Sequence, residues 1–152
     1  MSRKRGHISI LIALSIFAIS LSLLILGCGK SFSSNGQRIY FTGESSSGQQ
    51  IAYSGGPGTM MQSRLACVNC HGSEGKGGTI NMMMLRLDVP NITWTELTAQ
   101  GSDHPPFTEE TIKRAITQGV DESGAALKYY MPRWQMSDND LNDLVNYLKT
   151  LK

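Results

Sequence analysis

The sequence predicts an all-α fold, a small helical domain with a loop-rich interruption in its first half. Two segments with helical apolar spacing and matched start signals support it, and no strand–helix–strand alternation opposes it. The chain has 152 residues, enough for one domain and too few for a two-domain enzyme with its own cofactor-binding half. Its formal charge of +2 is misleading, because residues 1–27 hold Arg3, Lys4 and Arg5 and no acid. The other 125 residues carry 11 basic and 12 acidic side chains, a balance that points away from a nucleic-acid partner. They are only 36 % apolar, thin for a self-sufficient core, so something besides side chains is expected to fill the interior.

Residues 1–27 read as a signal peptide, with a basic start followed by 19 uncharged residues at 8–26. As a helix that run would be about 28 Å long, close to the hydrocarbon thickness, so an uncleaved anchor helix is the competing reading. Leu24-Ile25-Leu26-Gly27-Cys28 resembles the lipobox of bacterial lipoproteins. That resemblance implies cleavage before Cys28 and acylation of Cys28, which would tether the rest to a membrane. In both readings the basic end stays cytoplasmic, and the remainder is exported to face the periplasm or the cell exterior. Residues 28–35 then form a polar, Ser/Gly-rich lipidated tether, and residues 36–152 the folded domain.

With Cys28 assigned to the anchor, two cysteines remain, in Cys67-Val68-Asn69-Cys70-His71. Cys-x-x-Cys-His reads as a covalent attachment site for a single c-type haem. Two cysteines three apart lie on one side of a helical turn, where both thiols can reach the two vinyl groups of one porphyrin. The adjacent histidine then points at the iron. A thioredoxin-like redox pair would want a βαβ setting, and a structural zinc site would need more ligands than His7 and His104 supply. A plain disulfide suits an exported protein but leaves His71 without a purpose.

Two later segments read as helices. Thr108 can cap the first, with Glu109 and Glu110 in its opening turn and Phe107 and Ile112 at the staple positions. Ile112, Ala115 and Ile116 form its apolar face, and Gly119 is a natural stop. Ser137 can cap the second, with Asp138 and Asp140 in its first turn. Leu141, Leu144, Val145, Leu148 and Leu151 fall on one face of it.

The order of these parts resembles the class I monohaem cytochromes c over residues 36–152. Gly36-Gln37-Arg38-Ile39-Tyr40 is similar to the Gly-x-x-x-aromatic of that family's first helix. Leu144-Val145-Asn146-Tyr147-Leu148 is similar to the Leu-x-x-Tyr-Leu of its last. The resemblance implies a small helical fold wrapped around one covalent haem, its first and last helices crossing closely at the glycine. It also implies a methionine as second axial ligand, and Met131-Pro132 stands at the matching place, before the last helix. Pro132 would keep a helix from sweeping the thioether away. Met82, Met83 and Met84 are the rivals, with His104 the bis-histidine alternative; Met136 is better placed as a hydrophobic contact at the entry of the last helix. Val89-Pro90-Asn91-Ile92 resembles the family's loop in which a proline carbonyl, here that of Pro90, accepts a hydrogen bond from the proximal histidine. Trp94, Tyr129, Tyr130 and Trp134 are candidates for the haem edge.

The departure from the family lies between Tyr40 and Cys67, where Gly/Ser/Pro clusters mark an insertion at about residues 43–63. Within it Gln49-Gln50-Ile51-Ala52-Tyr53 alternates weakly and is expected as a short hairpin arm. The insertion is expected to be a surface elaboration with little apolar area, dispensable for haem incorporation, or else a cover for the haem edge or a docking surface. Gly72, Gly75, Gly77 and Gly78 are expected to make a further flexible stretch.

A His/Met haem has no open position for substrate, so the expected function is single-electron transport rather than catalysis, with respiratory complexes or other redox proteins as partners. The alternatives are a haem subunit of a larger respiratory oxidoreductase and a gas-binding haem sensor.

Overall fold

The computed structural model describes residues 31–56, 65–82, 85–101 and 104–152, so the leader, Cys28, residues 57–64 of the insertion, Met83 and Met84 lie outside it. Along the described residues the elements run α1 (Asn35–Thr42), β1 (Ala52–Ser54), α2 (Val68–His71), β2 (Gly78–Met82), β3 (Leu85–Val89), α3 (Trp94–Leu97), α4 (Glu109–Gln118), β4 (Arg133–Gln135) and α5 (Asp138–Leu148). Phe32–Lys152 make one unit.

The first and last helices form its base. Helix α1 starts where the Ser34 hydroxyl accepts the Gln37 N–H at 3.1 Å, and it stops at Gly43, which has φ 68°. Residues 32–35 of the Ser/Gly-rich stretch thus belong to the folded unit. α1 crosses α5 at Gly36, where a Cβ would collide with the Asp143 carbonyl and lie 2.9 Å from Tyr147 Cβ. Only hydrogen fits there. One turn on, the Tyr40 and Tyr147 rings pack 5.2 Å apart. Ile39, Tyr40, Leu144 and Val145 are the most deeply buried side chains of the core.

The expected start signals operate as written. Thr108 and Thr111 form a reciprocal capping box on α4, and Gly119 ends that helix in the left-handed conformation at φ 68°. Ser137 caps α5 by accepting the Asp140 N–H. Leu141, Leu144, Val145 and Leu148 are buried along α5. Leu151 lies past the helix end but is buried too, because its carbonyl accepts the Trp94 N–H and draws the C-terminus onto α3.

The all-α expectation needs amending, because two small antiparallel sheets accompany the helices. β2 and β3 form a hairpin that begins at Gly78, the last glycine of the stretch expected to be flexible, which lies opposite Val89. Leu87 and Val89 are buried while Arg86 and Asp88 face out. That apolar/charged alternation is legible in Leu-Arg-Leu-Asp-Val.

The insertion makes the expected short arm, with Gln50 bridging antiparallel to Glu44 across a turn, and then reaches further than expected. β1 pairs with β4; Tyr53 sits opposite Trp134, their rings 5.1 Å apart. Ile51 joins the core. The segment therefore contributes apolar area and a strand partner, contrary to the expectation of a dispensable surface loop.

Candidate functional site

Helix α2 is a single turn. The Asn69 side-chain oxygen accepts the Ala66 N–H at 2.7 Å and fixes its start, and His71 N–H closes it onto the Cys67 carbonyl at 2.9 Å. This turn sets Cys67, Cys70 and His71 on the wall of a cavity of about 500 Å³, a size usual for a cofactor or drug-sized ligand. Leu97, Ile112, Ile116, Leu144 and Leu148 supply apolar walls from α3, α4 and α5. Both cysteines are free in this structure. Burial pushes the Cys67 thiol up to about 12 and raises that of Cys70, so both are protonated at neutral pH.

His71 is 5 % exposed, and its Nδ1 lies 3.1 Å from the Pro90 carbonyl oxygen. That oxygen can only accept, so Nδ1 carries the proton and Nε2 keeps its lone pair. Burial lowers the pKa of His71, against a smaller opposite effect of the Pro90 bond, which leaves a neutral imidazole suited to a metal. Gly77 makes this bond possible. It has φ 62°, and a Cβ there would collide with the Val89 and Pro90 carbonyls. Its N–H donates to the His71 carbonyl at 3.0 Å, so one glycine holds the ligand turn and the proline loop together. Sequence reasoning grouped Gly77 with a flexible stretch; the signal was only its place between two motifs that must meet.

Met131 lines the same cavity from the loop joining α4 to β4. Its N–H donates to the Lys128 carbonyl at 3.0 Å, in the turn that Pro132 follows. Met136 instead packs against the core at the start of α5. His104 also lines the cavity, with Nδ1 2.8 Å from the Pro105 carbonyl and its ring edge against Phe107. Of the four aromatic candidates, Trp134 and Tyr130 line the cavity, the Tyr130 hydroxyl donating to the Asp88 carbonyl at 3.1 Å. Trp94 packs against the core beneath Lys149, and Tyr129 is 67 % exposed.

Two thiols, the neutral imidazole of His71, the imidazole of His104 and one thioether thus share a cavity whose other walls are mainly apolar. That donor set fits an iron porphyrin, which needs thiols for its vinyl groups, soft or nitrogen donors for its metal and an apolar sleeve for its ring. Among protein families, the model of the cytochrome c family matches residues 34–152. Comparison with curated proteins and with solved structures returns no match.

Proposed function

Since the chain belongs to the cytochrome c family, and so is an electron-transfer protein that binds one haem c covalently, we propose that it is a membrane-anchored carrier of single electrons on the exported side of a membrane. Cys67 and Cys70 hold the haem through thioethers. His71 Nε2 and the Met131 sulfur would hold its iron, and the Pro90 carbonyl fixes the plane of the imidazole. The meeting of these residues in one cavity, with His71 already bonded to Pro90, carries the reading.

When bound, the haem supplies an iron that takes up and gives up one electron. The chain does the rest. The apolar walls exclude water, which limits solvent reorganisation and favours the less charged state of the metal. The Pro90 bond keeps His71 in one tautomer and rotamer, so no proton needs to move with the electron. A sixth ligand from Met131 closes the iron to small molecules and raises the reduction potential. Anchoring rests on the lipobox-like run ending at Cys28, and docking to membrane-bound redox complexes follows from it.

The wild-type protein should take up one electron per chain in a reductive titration and keep its haem through acid–organic extraction. The ferric form should show the weak red charge-transfer band of a sulfur–iron bond, and the ferrous form should bind carbon monoxide slowly. Met131→Ala should abolish the band, speed carbon monoxide binding and lower the potential. Rapid carbon monoxide uptake by the unmodified protein would transfer the assignment to gas binding. For the anchor, mass spectrometry should find a lipid-modified Cys28 as the mature N-terminus; an intact Met1 would favour the uncleaved helix.

A further inference from the structure

One side chain ties the loop that carries Met131. Arg133 opens β4, and its guanidinium donates through Nη1 to the carbonyls of Met131 and Lys128, the latter at 3.2 Å. Through Nη2 it donates to those of Leu127 at 3.0 Å and Gly119 at 3.5 Å. A planar fork of donors can serve four carbonyls at once, and a lysine ammonium cannot. Each of the described ion pairs involves other side chains, so here the charge of Arg133 is met by backbone dipoles.

The seat of the guanidinium is Gly119, where a Cβ would collide with Arg133 Nε and Cζ. The residue that ends α4 therefore also leaves the space in which Arg133 lies. The far half of the loop is held separately: Arg114 donates to the Asp121 and Glu122 carbonyls, and the Asp121 carboxylate accepts the N–H groups of Ser123 and Ala125. Of the carbonyls that Arg133 binds, those of Leu127, Lys128 and Met131 belong to residues on the cavity wall.

We propose that Arg133 is the positioning residue for the sixth-ligand loop: its guanidinium, seated over Gly119, holds the turn at residues 127–131 so that Met131 stays against the cavity. This rests on the reading of Met131 as an axial ligand. Bonds from a charged donor to backbone carbonyls are strong enough that losing one shifts a local equilibrium about tenfold. Loss of the fork should therefore populate a state with Met131 withdrawn while the His71 side of the site stays intact.

The test uses the holoprotein. Arg133→Lys keeps the charge and removes the fork. It should raise the rate of carbon monoxide binding to the ferrous protein about tenfold, weaken the ferric red band and speed amide hydrogen exchange at residues 127–131, with covalent haem content unchanged. Gly119→Ala should do the same from the other side by unseating the guanidinium. Added to Met131→Ala, Arg133→Lys should give no further increase in carbon monoxide binding. A wild-type band and rate in Arg133→Lys would overturn the proposal, and if that variant yields no holoprotein, the same result in Gly119→Ala would do so. Failure of the ligand reading looks different, as a Met131→Ala variant that keeps the band. Exchange at 127–131 then decides alone: faster exchange in Arg133→Lys retains the clasp, and unchanged exchange removes it.

Discussion

Tyr40 joins the two ends of the fold through a single atom. Its ring is fully buried between α1 and α5, and its hydroxyl donates to the Gly72 carbonyl at 2.6 Å, just past the ligand turn. Burial, more than the neighbouring Cys67 and Tyr147, raises its pKa above the ordinary tyrosine value. With haem attached at Cys67 that side chain would be an uncharged thioether, and burial would remain. The sign of the linkage follows: the unfolded tyrosine ionises first as pH passes about 10, while the folded one stays neutral. Stability from Tyr40 is therefore fully present below that pH and is lost as pH rises toward the raised folded value. Tyr40→Phe should cost about 1 kcal/mol at pH 7 through the lost hydrogen bond, and its denaturation midpoint should fall less steeply than the wild type's above pH 10. Urea titrations at pH 8 and pH 11 compare the two, and parallel losses would remove Tyr40 from the account. His71, Cys67 and Cys70 were legible from five consecutive letters because their chemistry fixes their spacing. Gly77 and Arg133 were not, because each acts through backbone carbonyls that the fold brings to it, and no fixed residue spacing announces such contacts.

Among the elements, α4 and α5 could be written down from the sequence because helix signals are local: a cap, a first turn of acids, an apolar face and a stop. β1 and β4 could not, because each has meaning only when paired with the other, and three residues show too short an alternation to be read. The crossing of α1 and α5 was legible only through the family's glycine, and the structure gives its cause in the Asp143 carbonyl. Gly36→Ala must push the helices apart, and a loss of about 1–3 kcal/mol is expected, as for other overpacked contacts. Chemical denaturation reads it; a change under 0.5 kcal/mol, the range of ordinary surface substitutions, would mean that the helices slide apart freely. The insertion is tested by Ile51, buried in the core beside β1. Ile51→Ala should cost about 2–5 kcal/mol, and removal of residues 44–60 should impair holoprotein formation, since it leaves β4 unpaired between Met131 and α5. Full maturation of that deletion would return the segment to a surface role.

At the largest scale, the unit Phe32–Lys152 has its apolar side chains, scarce in the sequence, arranged around a cavity instead of filling one another's gaps. Leu97, Ile112, Ile116 and Trp134 belong at once to the core cluster and to the cavity wall, so core and site are one surface. The cost of leaving such a volume open can be bounded. At about 24 cal/mol per Å³ of residual cavity, the roughly 500 Å³ here corresponds to an upper limit of about 12 kcal/mol. That is as large as the whole stability of a typical domain, about 5–15 kcal/mol. Water entering between Asp121, Glu122 and Lys128 would lower the figure but leave the apolar walls wet, which costs in the same sense. The chain alone is therefore expected to lose fixed packing while keeping its best-capped helices, α4 and α5. A Cys67→Ala/Cys70→Ala variant freed of haem should retain helical far-ultraviolet dichroism and lose its near-ultraviolet signal. It should also bind a hydrophobic dye and unfold with a shallow denaturant slope. The Tyr40–Gly72 bond and the His71–Pro90 bond should go first, since both hang on the ligand turn, and hydrogen exchange at Gly72 and Gly77 would report it. A haem-free protein with a sharp transition and native near-ultraviolet dichroism would mean that the side chains close the cavity unaided, and that the thin apolar composition is sufficient after all.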